Sequence, residues 1–154
     1  MTIIVDTANV MGARPDGWWR DRAAAAVRLH AELERLAASG RPVLPDETCP
    51  PDFVMVLEGA AKAASSRISA AGEPDRAAAG RGSAADTAPG DPAVPGRVRV
   101  VQADGSGDDA IVAVARELPG RRVVVTADRE LRDRCATAGA TVLGPGWLLG
   151  LLRQ

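Results

Sequence analysis

The chain has 154 residues with 46% hydrophobic and 25% charged, the size of one ordinary domain that buries roughly two-thirds of its unfolded surface around a single core. A formal net charge of -1 excludes a global basic excess for nucleic acid, so any such contact must come from local patches. Cys49 and Cys135 stand far apart without metal-like spacing, so neither a disulfide framework nor a zinc site is indicated, and no apolar run approaches a membrane span, so a soluble, cytoplasmic protein is expected.

In chain order, TIIV (2–5) is an apolar run without polar alternation, the pattern of a strand covered on both faces. It ends in Asp6; Asn9 follows, and Gly12, Pro15 and Gly17 predict a loop that carries Trp18, Trp19 and several arginines. From Arg20 to Ala38 a helix is expected, with Ala26, Leu29, Leu33 and Leu36 on one face, Arg28, Glu32 and Arg35 on another, and Gly40 and Pro42 as its stop. FVMVL (53–57) predicts the second strand. Between residues 72 and 96, nine of 25 residues are Gly or Pro and Val94 is the only large aliphatic one, so a disordered surface insert is expected before the third strand.

That third strand is VRVV (98–101), followed by a helix from Asp108 to Leu118 with Ile111, Val114, Ala115 and Leu118 as its stripe. RVVVT (122–126) predicts the fourth strand, Arg129 to Ala138 a helix with Leu131 and Cys135 inward, and TVL (141–143) the fifth strand; like the first, all these runs lack polar alternation and read as central strands covered on both faces. The terminal GWLLGLL has two readings, a closing core helix or a homodimer contact; the core is preferred because apolar patches of that density are uncommon on monomer surfaces.

Strands alternating with helices of these lengths predict an α/β fold, a three-layer sandwich in which a central, mainly parallel sheet of about five strands is flanked by helices. Ligands of such sheets bind beyond the carboxyl ends of the strands. There the sequence sets Asp6 after the first strand, Glu58 after the second, Asp104, Asp108 and Asp109 after the third and Asp128 after the fourth. Converging carboxylates repel unless a cation compensates, and oxygen donors without a His or Cys cluster select Mg²⁺ or Mn²⁺ over zinc. Each acid also has a structural reading: Ser106 with Asp109 fits a capping box, and Asp128 fits an N-cap. Asp6 is harder to read that way, because the turn residues after it argue against a helix there.

IIVDTANV, GSGDDAIV and VVVTADRELRDR, in that order and spacing, resemble the NYN branch of the PIN-like nucleases over the chain apart from roughly residues 60–96. The resemblance implies a PIN-like sandwich and metal-dependent ribonuclease activity. On it, Asp6 matches the first-strand aspartate, Asn9 its companion, Asp108 the acid of the middle motif, with Ile111 three residues later, and Asp128 the acid of TxDxxL. The fourth acid stays open between Glu58, Asp109 and Asp133.

The expected function is hydrolysis of RNA phosphodiester bonds, with Asp6, Asp108 and Asp128 as ligands of Mg²⁺ or Mn²⁺, Glu58 or Asp109 completing the shell, and Asn9 orienting Asp6 or bonding a phosphate oxygen. Arg14, Arg20 and Arg22 would meet phosphates, Arg129 the developing charge near Asp128, and Trp18 or Trp19 an unpaired base, so the RNA is expected to be single-stranded. One tryptophan should plug the core and the other be exposed, since adjacent residues seldom face the same way. The alternatives are an RNA-binding or protein-interaction module with an incomplete acidic set, and a metal-dependent nucleotide hydrolase. Other enzyme classes fall on single residues: Ala8 stands where an aspartyl-phosphate phosphatase needs its second acid, Lys62 is the only lysine and too early for a receiver domain, and the lone His30 lies mid-helix far from every acid. No Gly-rich phosphate loop is present.

Overall fold

Residues 1–71 and 96–154 are described by a computed structural model of the chain. Five apolar runs form one parallel sheet, β1 (Thr2–Asp6), β2 (Asp52–Leu57), β3 (Val98–Gln102), β4 (Arg122–Val125) and β5 (Thr141–Leu143), in the order β3-β2-β1-β4-β5. β1 is central, with Val5 opposite Met55 on one side and Val125 on the other. Ile3, Ile4 and Val5 are wholly buried, which is why their run shows no polar alternation.

Successive side chains divide between the two faces of the sheet. Ile3, Val5, Phe53, Met55, Val123 and Val125 belong to the core shared with α1 (Thr7–Gly12), α2 (Arg22–Ala38), α3 (Ala64–Ala71) and α6 (Pro145–Leu152). Ile4, Val54, Val56 and Val124 pack with α4 (Gly107–Glu117) and α5 (Arg129–Thr137). The result is the expected α/β sandwich. Each helix buries the stripe its period dictates: Ala26, Leu29, Leu33 and Leu36 in α2, Ile111, Val114 and Ala115 in α4, Leu131 and Cys135 in α5. Leu148 and Leu149 of α6 are buried too, so GWLLGLL joins the core. Among the described residues no helix is long and apolar enough to cross a membrane.

Two expectations need correction. β3 and β5 are edge strands, and Arg99, Gln102 and Thr141 are exposed; a run of three or four residues is too short to separate edge from centre by alternation. Residues 7–12 are a helix rather than a loop. The turn residues begin only at Gly12, and the short TANVM segment before it is held by the burial of Val10 and Met11 and by the Asp6 carboxylate at its start. The insert expected at 72–96 lies, Gly96 apart, outside the described residues.

Strand order sets the position of the site. From β1 the chain steps outward to β2 and β3, then returns to β4 on the other side of β1. The helices that follow β1 and β4 lie on opposite faces, α1 and α2 on one and α5 on the other. They part above the carboxyl ends of these two strands, the crevice in which open α/β sheets bind ligands.

Candidate active site

At that crevice the loops after β1 and β4 are tied by side chains. The wholly buried Thr126 hydroxyl donates to Asp6 Oδ2 at 2.8 Å and accepts the Asp128 N–H at 3.1 Å. Asp6 Oδ1 accepts the Asn9 N–H at 3.1 Å, which makes Asp6 the N-cap of α1. Asn9 completes the tie, its side-chain Oδ1 accepting the Ala127 N–H at 3.1 Å.

Asp6 is only 7% exposed. Burial raises its pKa above the usual 3.8; the hydrogen bonds from Thr126 and Asn9 pull it back, and the charges of Glu58 and Asp128 add to the rise. Asp108, half-buried in the first turn of α4, is raised as well, by burial and then by the charges of Asp128, Asp6 and Glu58, with Arg134 opposing. The charges of Glu58 and Asp128 thus reach both Asp6 and Asp108, and that of Asp6 reaches Asp108. None of the four is in an ion pair among the described residues.

Glu58 and Asp128 reach this edge as exposed side chains that also cap helices. Glu58 Oε2 accepts the Gly107 N–H at 2.9 Å at the start of α4, and Asp128 Oδ1 accepts the Leu131 N–H at 2.8 Å at the start of α5. Such carboxylates are stabilised by the helix N-terminus. Glu58 occupies the place expected of Ser106, whose side chain makes no capping bond, so the Ser106–Asp109 box does not form. Asp109 is exposed and paired with Arg134 on α5. Its charge is not among those that shift Asp6 or Asp108, and Asp104 and Asp133 are exposed.

The substrate-facing candidates separate in the same way. Arg14 is turned onto Glu32 of α2 in a largely buried ion pair. Trp18 packs against the core with the Arg22 guanidinium 5.2 Å from its ring centroid, while Trp19 is 59% exposed. Arg20 and Arg129 are exposed and in no ion pair among the described residues. His30 is buried on α2 beside Glu34, its pKa lowered by burial with Glu34 opposing. It is not among the groups that shift Asp6 or Asp108.

A divalent cation suits this edge in donor chemistry and in charge. The donors are all carboxylate oxygens, those already accepting one hydrogen bond keep a further lone pair, and no basic side chain pairs with the buried Asp6 among the described residues. As placed, no three His, Cys, Asp or Glu side chains among the described residues form a ready-made metal cage.

Thr126 is the site residue that the motif reading passed over. Its signal lay in VVVTADRE: a threonine that continues a wholly apolar strand is carried into the core, where its hydroxyl must find a partner.

No protein-family model matches the sequence, and no curated protein does. Among solved structures the fold is similar to the crystal structure of Rae1 (YacP) from Bacillus subtilis, in its W164L mutant, with a TM-score of 0.60 and 16% identity over 99% of this chain and 74% of that one. At this identity the likeness shows the fold alone, an α/β sandwich with a five-stranded parallel sheet flanked by helices.

Proposed function

We propose that the chain is a divalent-metal-dependent ribonuclease that hydrolyses single-stranded RNA at the carboxyl edge of its sheet. The observation that supports this most is Asp6. A carboxylate buried at the switch between β1 and β4, repelled by Glu58 and Asp128 and without a basic partner among the described residues, is a cost to the fold. A cation site gives that cost a use, and the likeness of the three motifs to NYN nucleases agrees with it.

On this reading Asp6, Asp108 and Asp128 hold Mg²⁺ or Mn²⁺ and Glu58 completes the shell. When bound, the metal supplies an activated water and charge stabilisation at the phosphate. The chain's own residues set the geometry. Thr126 keeps its hydroxyl proton on Asp6 because its oxygen already accepts from Asp128. Asn9 commits its side-chain oxygen to Ala127 and so offers its NH₂ to a phosphate oxygen. The exposed carboxylates of Glu58 and Asp128, each anchored through one oxygen at a helix N-terminus, keep the other oxygen for the metal.

One observation favours a second reading, an RNA-binding module without catalysis: the absence of a preformed acidic cage among the described residues. End-labelled mixed-sequence single-stranded RNA, incubated with the protein or its Asp6→Asn variant in Mg²⁺, Mn²⁺ or EDTA, separates the two. The ribonuclease reading expects cleavage that requires metal and is lost in the variant. A folded protein that binds the RNA uncut supports the module, and turnover of nucleoside triphosphates without RNA cleavage supports a nucleotide hydrolase.

A further inference from the structure

The first helix leads out of the acidic edge toward the tryptophan pair. α1 starts on the Asp6 carboxylate and ends at Gly12, where an added Cβ would lie 3.7 Å from the Trp18 ring. Six residues of helix span about 9 Å, the length of two or three nucleotides of a stacked strand at about 3.4 Å each. Along α1 runs an open groove of about 530 Å³ whose walls include Asn9, Gly12, Ala13, Ala127, Pro145 and Gly146. It begins at the Asn9–Ala127 tie and carries no charged side chain that would repel a backbone.

The segment after α1 is fastened rather than loose. Arg14 pairs with Glu32, Asp16 lies 3.8 Å from Arg28 and accepts the Trp18 N–H at 3.2 Å, and Gly17 turns the chain at φ 74°. Trp18 is anchored on the core, and Trp19 stands edge-to-face against it, ring centroids 6.4 Å apart and planes at 87°. Trp19 is the one exposed large hydrophobic side chain among the described residues. Arg20 and Arg22 beside it are exposed and in no ion pair there.

A single exposed tryptophan means little by itself. One braced edge-to-face on the anchored Trp18, whose ring adjoins Gly12 of the groove wall, with the exposed Arg20 beside it and the exposed Arg22 guanidinium over the Trp18 ring, has the parts of a single-strand platform: an aromatic face for a base and cations for the backbone. We infer that single-stranded RNA runs from the acidic edge along the α1 groove and stacks an unpaired base on Trp19, with Arg20 and Arg22 on its phosphates. This rests on the ribonuclease reading for its direction and assigns to Trp19 the contact that the sequence left open between Trp18 and Trp19.

The test is binding of a fluorescein-labelled 12-nucleotide single-stranded RNA in EDTA to wild type, Trp19→Ala and Trp19→Phe, beside cleavage in Mn²⁺. Trp19→Ala should weaken binding about 5- to 160-fold, the worth of one stacked base. Trp19→Phe should keep most of it, and melting should change in neither. In cleavage the Ala variant should raise KM and leave kcat near wild type. A wild type that does not bind the RNA, or a Trp19→Ala variant that binds like wild type, overturns the inference. If that variant cleaves with unchanged KM, the inference fails while the ribonuclease reading stands. RNA binding that depends on Trp19 without any cleavage upholds the platform and sinks the nuclease.

Discussion

At the scale of single residues, Asp6 combines two opposed roles, capping α1 while holding a charge in the core. Burial raises its pKa, so the folded chain binds that proton more tightly than the unfolded one. Stability contributed by this group therefore falls as pH rises from 3.8 through the raised value, and the penalty is fully present above it. In EDTA at pH 7, where that penalty is fully present, Asp6→Asn should therefore melt above wild type. Lowering the pH toward 3.8 should shrink the difference. A variant that melts below wild type at pH 7 would show that the bonds from Thr126 and Asn9 outweigh the burial. Gly107 supports a second member of the set. A Cβ there would overlap the Glu58 carboxylate, 2.8 Å from its Cδ, whereas one at Gly105 meets nothing within 4 Å. Displacing Glu58 also removes its cap on α4, so Gly107→Ala should cost about 0.5–2 kcal/mol by melting. It should lower metal-dependent cleavage about 10- to 100-fold by displacing that carboxylate. Gly105→Ala should leave both unchanged.

At the scale of elements, the junction between β1 and β4 hangs on one hydroxyl. Thr126→Val would leave Asp6 Oδ2 without its donor and the Asp128 N–H without its acceptor. A buried polar group so stranded costs about 1–3 kcal/mol. The valine variant should melt lower and lose cleavage, and Thr126→Ser should recover most of both; a valine variant as stable as wild type would show the tie to be incidental. Elements were legible in the sequence where hydrophobic runs or stripes were long enough to count. All five strands lie within a residue or so of their apolar runs, and α2, α4 and α5 bury the residues their 3.6-residue period marks. α1 was not legible, because the six residues Thr7–Gly12 carry too little period and owe their helix to tertiary packing. Nor was the cap of α4: the carboxylate comes from Glu58, forty-nine positions away, instead of the neighbouring Ser106.

At the scale of the molecule, parallel strands and crossovers bring Asp6, Glu58, Asp108 and Asp128 to one edge from across more than a hundred residues. That all the strands are parallel could be read from their alternation with helices; that β4 lies beside β1, and so Thr126 beside Asp6, comes from the return crossover and has no local signature. The same topology separates Asp109 from its neighbour Asp108. One residue of helix turns it by about 100°, toward Arg134. The most direct measurement is therefore RNA cleavage in Mn²⁺ by two conservative variants side by side, Asp6→Asn and Asp109→Asn, with EDTA as control. The proposed site expects metal-dependent cleavage by wild type, its loss in Asp6→Asn and its retention within about threefold in Asp109→Asn. Cleavage that persists in Asp6→Asn, or in EDTA, would contradict it.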